Sequence, residues 1–225
     1  MKLILTEKPS VAREFASALG ATRKDGYFEC KDYIITFAVG HLLELAEPES
    51  YDQRYKKWQI DDLPIVPDAI RWTPVPRTRE QLDIITKLIA QSPEEVIVAT
   101  DAGREGELIA RLILQYTQQT QGLLTTRFWS SEALTKDAIM RGLQKRSDIS
   151  NYEKLHQAGR ARSIADWLVG INLSRLYSIK LSGRFSYGRV QTAILRVLVN
   201  REAEITNFQK TTFYVVEALV SGERG

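Results

Sequence analysis

The stretch "EVIVATDAGREGELIARLILQYT", residues 95–117, predicts a strand, a tight turn and a helix in direct succession. The apolar run at 96–99 has the length of a buried strand, and the two glycines that follow allow the chain to turn sharply. Apolar residues then recur at the spacing of a helix. Three carboxylates, Asp101, Glu105 and Glu107, therefore stand where a strand ends and a helix begins.

The same strand-helix unit occurs twice more. Residues 2–20 read as a short buried strand and a helix, with Ser10 as the predicted N-cap and Gly20 as the stop. Residues 125–143 form a third unit, with Thr135 as the predicted cap. Alternating strands and helices predict an α/β fold in which helices cover a mostly parallel sheet.

The remaining segments define the predicted domains. Residues 27–42 read as two β-rich runs about a Lys-Asp turn, 44–76 hold five of the seven prolines and read as irregular, and 77–91 read as a helix. Beyond about residue 150 the pattern is helical until an apolar run at 212–220, which we predict to be a strand. We therefore predict domains at 1–150 and 151–211, with 212–225 leading out of the second.

Composition excludes several classes of protein. The chain has 225 residues, of which 44% are hydrophobic and 26% charged, as in ordinary soluble proteins. No apolar stretch is long enough to cross a membrane and no signal peptide is recognisable, so we expect a cytoplasmic protein. The single cysteine, Cys30, excludes an intrachain disulfide and a cysteine-rich zinc site in these residues.

Charge is divided unevenly along the chain. Residues 1–150 hold 20 Lys and Arg against 22 Asp and Glu, whereas 151–225 hold 11 against 6. Between Lys154 and Arg201 there are nine cations and one acid, Asp166. Such a field attracts polyanions, so nucleic acid is a candidate partner.

The acids at the strand ends suggest a metal site. In an open parallel sheet, ligands gather beyond the carboxyl ends of the strands, and both Glu7 and Asp101 lie at such ends. Carboxylates without nearby His or Cys suit Mg²⁺. The alternative is that Glu105 and Glu107 only favour a helix N-terminus and Asp101 is a turn residue. A P-loop is excluded because its motif is absent.

Six motifs, in order, carry a family resemblance: "TEKPSVA", "GHL" at 40–42, "TDAGREGELIA", "RFWSSEALT", "GRARSIADWLVGINLSR" and "GRVQTAILRVLVNRE". They cover nearly the whole chain, which resembles the start of a type IA DNA topoisomerase of the bacterial topoisomerase III kind. The resemblance implies a Rossmann-like Toprim metal-binding domain, followed by a mainly α-helical, incomplete domain that binds single-stranded DNA.

The resemblance also implies catalytic and metal-binding roles. The family's acid motif is usually Asp-x-Asp-x-Glu, and here Gly103 replaces its middle acid, which puts a two-metal site in doubt. Mg²⁺ would be held by Glu7, Asp101 and Glu105, with Glu107 or water completing the set. Glu7 would donate a proton to the leaving sugar oxygen and Lys8 would stabilise the phosphate, while His41 would line the cleft or serve a structural role.

A DNA groove is implied by two further motifs. Arg160, Arg162 and Asp166 match its positions on one helix, and Arg162 and Asp166, four residues apart, share a face. A surface ion pair is the alternative explanation for these two. The second set of candidate DNA-binding residues surrounds the start of the last helix: Ser186, Gly188, Arg189 and Gln191. Tyr187 could stack on a base, although a glycine-bearing loop before a core helix has the same pattern.

The family cuts one DNA strand with a tyrosine, holds a 5′-phosphotyrosine link during strand passage and reseals the strand without ATP or another nucleotide cofactor. None of the nine tyrosines here matches the nucleophile's motif, so we expect these residues alone not to relax DNA. The parent would work on DNA in the bacterial cytoplasm, near the nucleoid or a plasmid. A Toprim nuclease, a primase-like enzyme and a non-catalytic single-strand DNA-binding module remain open.

Overall fold

The computed structural model describes residues 1–117, 122–220 and 223–224. Its regular elements, in chain order, are β1 (Lys2–Thr6), α1 (Pro9–Leu19), β2 (Thr22–Arg23), β3 (Tyr27–Glu29), β4 (Tyr33–Phe37), β5 (Leu43–Leu45), β6 (Trp72–Pro74), α2 (Arg79–Ala90), β7 (Glu95–Ala99), α3 (Arg104–Thr117), β8 (Thr125–Arg127), α4 (Lys136–Lys145), β9 (Ser147–Asp148), α5 (Glu153–Lys180), α6 (Arg189–Thr206), β10 (Leu219–Val220) and β11 (Glu223–Arg224).

A mixed, mostly parallel sheet of seven strands organises the first part of the chain. The strand order is β2-β3-β4-β1-β7-β8-β9, and the four central strands run parallel while both edges are antiparallel. This confirms the predicted α/β class. Strands β1 and β7 are direct neighbours in register, with Thr6 opposite Ala99, so the residues that follow them emerge side by side.

Two cores lie on opposite faces of this sheet. Because successive side chains of a strand point to opposite faces, Leu3 and Leu5 join the core beneath α2 and α3, whereas Ile4 joins the core beneath α1 and α4. Central strands covered on both faces carry continuous apolar runs. The apolar runs of β1 and β7 are continuous because both strands are covered on both faces.

The helix ends follow the predicted signals in two of three cases. Gly20 ends α1 in the left-handed conformation, with φ of 68°, and the Thr135 hydroxyl accepts the Ala138 N–H at the start of α4. The prediction for Ser10 is wrong, because α1 begins at Pro9 with Lys8 as its N-cap. Proline suits the first helical position, where no N–H partner is needed, so the helix starts before the serine.

Segment 44–76 is largely irregular, as expected. It contains short 3₁₀ turns at Pro48–Ser50, Gln53–Lys56 and Ile60–Asp62, and its ends form the antiparallel pair β5–β6. The Tyr51 ring lies 6.0 Å from the ring of Trp167 on α5, which helps to fix the segment against that helix.

Helices α5 and α6 and the segment after them make up the second part of the chain. Helix α5 packs closely against α3: a Cβ on Gly159 would lie 2.8 Å from the Arg104 carbonyl oxygen. No residue of α6 is buried. None of the helices in the described residues is both long and apolar enough to span a membrane.

The strand predicted at 212–220 is wrong over most of its length. Residues 211–218 carry no regular structure, and only Leu219–Val220 pairs, with Glu223–Arg224. A strand needs a hydrogen-bonded partner, and Val215 and Val216 are exposed by 73% and 94%. Residues 221, 222 and 225 lie outside the described residues.

Candidate active site and nucleic-acid interface

The ends of β1 and β7 bring together the acidic pair, Glu7 and Asp101. The Asp101 backbone N–H donates to Glu7 Oε2 at 3.3 Å, and Lys8 Nζ donates to Asp101 Oδ2 at 2.6 Å. Both side chains of the ion pair are about half exposed. Two acids and a cation thus face solvent at the edge where ligands of parallel sheets bind.

The surroundings of the acidic pair change the pKa values of Glu7 and of the neighbouring Lys8. Burial, and then the negative charge of Asp101, raises the pKa of Glu7, against the opposing effects of the Asp101 N–H, Lys8 and His41. The hydrogen bond to Asp101 raises the pKa of Lys8. Glu7 therefore holds a proton more readily than an ordinary glutamate, while Lys8 stays charged.

Glu105, the third predicted ligand, faces the same side but is paired with a histidine. His41 Nε2 and Glu105 Oε1 are 2.5 Å apart, and both side chains are partly exposed. The cavity beside this pair has a volume of about 560 Å³, and Ser163 and Trp167 of α5 also line it. The cleft therefore connects Glu105, at the start of α3, with the basic helix α5.

The donor set fits a hard cation held by few protein ligands. Across the described ranges, no group of three or more His, Cys, Asp or Glu side chains is close enough to hold a metal ion. Glu7 and Asp101 still supply carboxylate oxygens, and Mg²⁺ commonly takes one or two carboxylates and fills the remainder with water and phosphate oxygens. Glu105 would become a further ligand only on leaving His41.

Glu107 is not placed to bind a metal, which corrects the prediction. Its carboxylate is fully buried and accepts hydrogen bonds from Arg111 Nε at 2.9 Å and from Arg127 Nε at 3.0 Å. Residues two apart on a helix point to different sides, so Glu107 faces the core when Glu105 faces the cleft.

Arg127, which the sequence reasoning missed, holds the backbone of the acidic turn. Its fully buried guanidinium donates to the carbonyls of Thr100 at 2.9 Å and Asp101 at 2.8 Å, as well as to those of Val98 and Phe128. Burial lowers the pKa of Arg127, and the Glu107 carboxylate opposes that shift. The sequence signal was an arginine ending a short strand just before "FW".

Gly106 and Gly103 differ in what they contribute to the turn. A Cβ on Gly106 would lie 2.3 Å from the Asp101 carbonyl oxygen, so only glycine allows α3 to approach the turn this closely. A Cβ on Gly103 would meet nothing within 4 Å. Only Gly106 is therefore required as glycine on steric grounds.

The predicted DNA-binding residues of α5 and α6 meet at Asp166. Its carboxylate lies 3.7 Å from Arg162 Nε and accepts a hydrogen bond from Arg189 Nε at 2.5 Å, and this bond lowers the pKa of Asp166. Two guanidinium groups from different helices are thus fixed around one acid, with their other N–H groups free to face a phosphate or a base. Arg160 lies half-buried two residues before Arg162.

The loop between α5 and α6 is fixed along α5 by two serines one turn apart. Ser178 Oγ bonds both the N–H and the carbonyl of Phe185, and Ser174 Oγ does the same for Tyr187. The Tyr187 ring stacks on that of Tyr177, with centroids 6.0 Å apart. One face of the Tyr187 ring is therefore covered by another aromatic residue.

The three other candidate residues lie on or beside this loop at the start of α6. Ser186 is exposed and lines a cavity, and Gly188 is the N-cap of α6. Gln191 is exposed, and its side chain lies 3.2 Å from the position that a Cβ on Gly188 would take. The candidates thus surround one helix N-terminus, where backbone N–H groups can bind phosphate.

Comparisons with known proteins match two families to successive parts of the chain. The family model described as "Toprim domain" matches residues 2–129, and the one described as "DNA topoisomerase" matches 150–225. The chain is 41% identical over 222 residues to DNA topoisomerase 3 of Staphylococcus haemolyticus, 43% to that of Staphylococcus aureus and, over 223 residues, 40% to that of Bacillus thuringiensis. These matches cover 98% of this chain but only 30–31% of the length of those relatives.

A solved structure has the same fold. Full-length topoisomerase I from Thermotoga maritima superposes with a TM-score of 0.64 and 25% identity, over 92% of this chain and 31% of that one. The Toprim match spans more than half of the residues and contains the acidic pair, and the topoisomerase match begins just before α5. The chain belongs to the Toprim family, and its residues 150–225 match the family model described as "DNA topoisomerase".

Proposed function

We propose that this chain supplies the metal site and part of the single-strand groove of a type IA DNA topoisomerase. The parent enzyme cuts one strand in a Mg²⁺-dependent step, passes the other strand through the gap and reseals it through a 5′-phosphotyrosine link, without ATP. The nucleophilic tyrosine is not among these residues. The observation that carries the proposal is the contact of Glu7 with Asp101 across the ends of β1 and β7.

Glu7 and Asp101 are the proposed Mg²⁺ ligands, and Glu105 is a further one if its side chain turns from His41. Bound Mg²⁺ would neutralise negative charge on the scissile phosphate. Glu105 and His41 otherwise keep each other oriented at the edge of the cleft. Glu107 has no part in the set, because its oxygens are used by arginines.

Proton and charge handling fall to Glu7 and Lys8. Attack of the tyrosine oxygen on phosphorus breaks the bond to the sugar oxygen, which must take a proton as it leaves. When Glu7 is not bound to Mg²⁺, its raised pKa suits that donation, and the carboxylate that remains can bind the metal or take the proton back on resealing. The Lys8 ammonium beside it stabilises the phosphate as negative charge develops.

Single-stranded DNA is the proposed partner of the surface from α5 to the start of α6. Support comes from the excess of cations between Lys154 and Arg201 and from the joint fixation of Arg162 and Arg189 on Asp166. Phosphate contacts would make binding fall steeply with salt. We place the parent's work in the bacterial cytoplasm.

The test is relaxation of negatively supercoiled plasmid with Mg²⁺, by this chain and by its full-length parent. We expect the parent to relax the plasmid and lose that activity in Glu7→Gln and Asp101→Asn. We expect this chain to bind single strands but neither relax the plasmid nor form a covalent adduct. An adduct on one of its nine tyrosines contradicts the assignment.

A non-catalytic single-strand DNA-binding module is the second candidate. It is favoured by the fact that no group of three potential metal ligands is found among the described residues: Glu7 contacts Asp101, while Glu105 is held by His41. Unchanged parent activity in both carboxylate variants would select this function. Metal-dependent nicking or primer synthesis by the chain itself would instead select a Toprim nuclease or a primase-like enzyme.

A further inference from the structure

A small cavity of about 100 Å³ lies at the start of α1, against the hairpin that β2 and β3 form. Three cations line it: Arg13 of α1, Arg23 at the end of β2 and Lys24 in the hairpin turn. No acidic side chain is found among the described residues that line this basic cavity. Positive charge gathered in a concave surface without an acid attracts an anion.

The two arginines of the basic cavity are not engaged elsewhere. Both are exposed, and in the described ranges of the chain neither side chain takes part in a hydrogen bond, an ion pair or a ring contact. Lys24 is loosely paired, with its Nζ 3.8 Å from Glu29 Oε2. A guanidinium whose N–H donors are unused can bind two oxygens of a phosphate at once.

One glutamine fixes the hairpin wall of the basic cavity to the end of β4. Gln81 Nε2, on α2, donates to the Gly26 carbonyl at 3.0 Å and to the Phe37 carbonyl at 2.9 Å, and both of those residues line the cavity. Gly26 has a φ of 77°, and a Cβ there would lie 2.5 Å from Ile84 Cδ1 of α2. The turn that carries Lys24 is therefore held in place before a ligand binds, which lowers the cost of binding.

The size and the lining of the basic cavity select a small anion. Pockets that enclose a whole small molecule measure roughly 300–1,000 Å³, far more than this one. The space admits a phosphate group and leaves the attached sugar and base outside. Three aromatic side chains, Tyr27, Phe28 and Phe37, also line it, and walls of low polarity strengthen the attraction between the cations and an anion.

The basic cavity lies across the acidic pair from the proposed single-strand surface. Pro9, one of its lining residues, directly follows Lys8, which bonds Asp101. Phe28 and Phe37 pack against the core beneath α1 and α4, whereas α5 packs against α3, which covers the other face of the sheet. A strand that crosses the acidic pair from the α5 side thus meets this cavity beyond it.

We propose that the basic cavity binds one phosphate group through Arg13 and Arg23, with Lys24 beside them, and that this phosphate belongs to the strand segment beyond the acidic pair, away from α5. The inference rests on the proposed function, because it extends the path of the strand past the cleavage point. The contact holds the strand in register across the acidic pair, so that the scissile phosphate stays aligned for attack. Phosphate contacts carry no sequence information, so no base preference follows.

The experiment measures binding of a labelled oligothymidylate of about 16 nucleotides by fluorescence anisotropy at several salt concentrations. We expect Arg13→Gln and Arg23→Gln each to bind about 3- to 10-fold more weakly than the unaltered chain. Each should also reduce the steepness of log K against log salt by about 0.7, as for loss of one phosphate contact. Arg23→Lys should keep most of the affinity, because the charge remains.

Lys31→Gln is the matched control. Lys31 is an exposed cation in the turn at the other end of β3, beside the start of β1, where the Lys2 N–H donates to the Asp32 carbonyl. That turn lies at the edge of the sheet opposite to the acidic pair. Removing this charge should therefore leave both the affinity and its salt dependence unchanged.

Several outcomes overturn the inference. Equal affinity and equal salt dependence in the unaltered chain and both glutamine variants of the arginines remove the phosphate site and leave the proposed function intact. The same loss in Lys31→Gln shows a general effect of charge. If the arginine variants bind the oligothymidylate normally but lose binding of inorganic phosphate in calorimetry, the cavity takes a free anion and not the strand. If the unaltered chain binds no single strand even at low salt, the proposed DNA surface fails as well. Urea unfolding of each variant separates misfolding from lost contacts.

Discussion

Replacing Glu107 by Gln tests whether this acid is structural or a metal ligand. The side chains of Glu107 and Arg127 are both 0% exposed, and their atoms lie 3.0 Å apart. The substitution leaves a buried guanidinium without its counter-charge and turns an amide N–H toward it. Breaking a buried pair on one side costs about 3–5 kcal/mol. That is a large part of the roughly 5–15 kcal/mol that stabilises a domain.

Glu105→Gln is the matched control, two residues earlier on the same helix. Its side chain is 61% exposed and its pair with His41 is a surface interaction, so its loss should cost less than about 1 kcal/mol. Urea unfolding followed by circular dichroism distinguishes the two. With a slope of about 2 kcal/mol per molar, Glu107→Gln should lower the midpoint by about 2 M.

The refuting result is equally specific. If Glu107→Gln unfolds within about 1 kcal/mol of the unaltered chain and instead loses affinity for Mg²⁺, the carboxylate faces the cleft and not the arginines. The buried network that we describe around Arg127 would then be wrong. Far-ultraviolet spectra before unfolding show whether both variants begin from the same fold.

Two further predictions concern the turn and the sheet. Gly106→Ala should destabilise the chain by more than about 2 kcal/mol because its Cβ would clash with the Asp101 carbonyl. The control, Gly103→Ala, should change stability by less than about 1 kcal/mol. Equal effects of the two substitutions in thermal melts would refute the close approach of α3 to the turn. Burial alone would raise the pKa of Glu95, but hydrogen bonds from Arg146, Thr126 and Lys2 lower it from 4.5 to about 2. A depressed carboxylate pKa stabilises the fold above pH 4.5 and loses that stabilisation as pH falls toward 2. Glu95→Gln should therefore be less stable than the unaltered chain at pH 7 and nearly equal to it near pH 2.

Much of the fold could be predicted because the strands of the central sheet leave a recognisable pattern in the sequence. Continuous apolar runs mark strands buried on both faces, and each is followed by a helix with a matching apolar stripe. The meeting of Glu7 and Asp101 followed from their shared place at strand ends, given that β1 and β7 are neighbours. The sequence spacing of β1 and β7 does not by itself determine that these two strands are neighbours in the sheet.

The site details that escaped prediction depend on contacts distant in sequence. The His41–Glu105 pair requires a path of the chain after β4 that no local pattern specifies. Arg127 is an ordinary cation until the fold buries it against Glu107 and Asp101. The role of Glu107 could have been read from the sequence, since it cannot share a helix face with Glu105.

The apolar run at 212–220 is a case in which local composition predicted an element that does not form over most of its length. Its composition is typical of a strand, but a strand forms only when it pairs with a neighbouring strand, and residues 211–218 carry no regular structure. Local propensity was sufficient to predict the type of element and insufficient to predict whether it forms.

Calorimetric titration of Mg²⁺ into the chain, saturated with a short single-stranded oligonucleotide, tests the central claim most directly. If the ends of β1 and β7 form the metal site, the unaltered chain binds Mg²⁺, and Glu7→Gln and Asp101→Asn each weaken that binding by at least about tenfold while the oligonucleotide still binds. Undiminished Mg²⁺ affinity in Asp101→Asn would contradict the account.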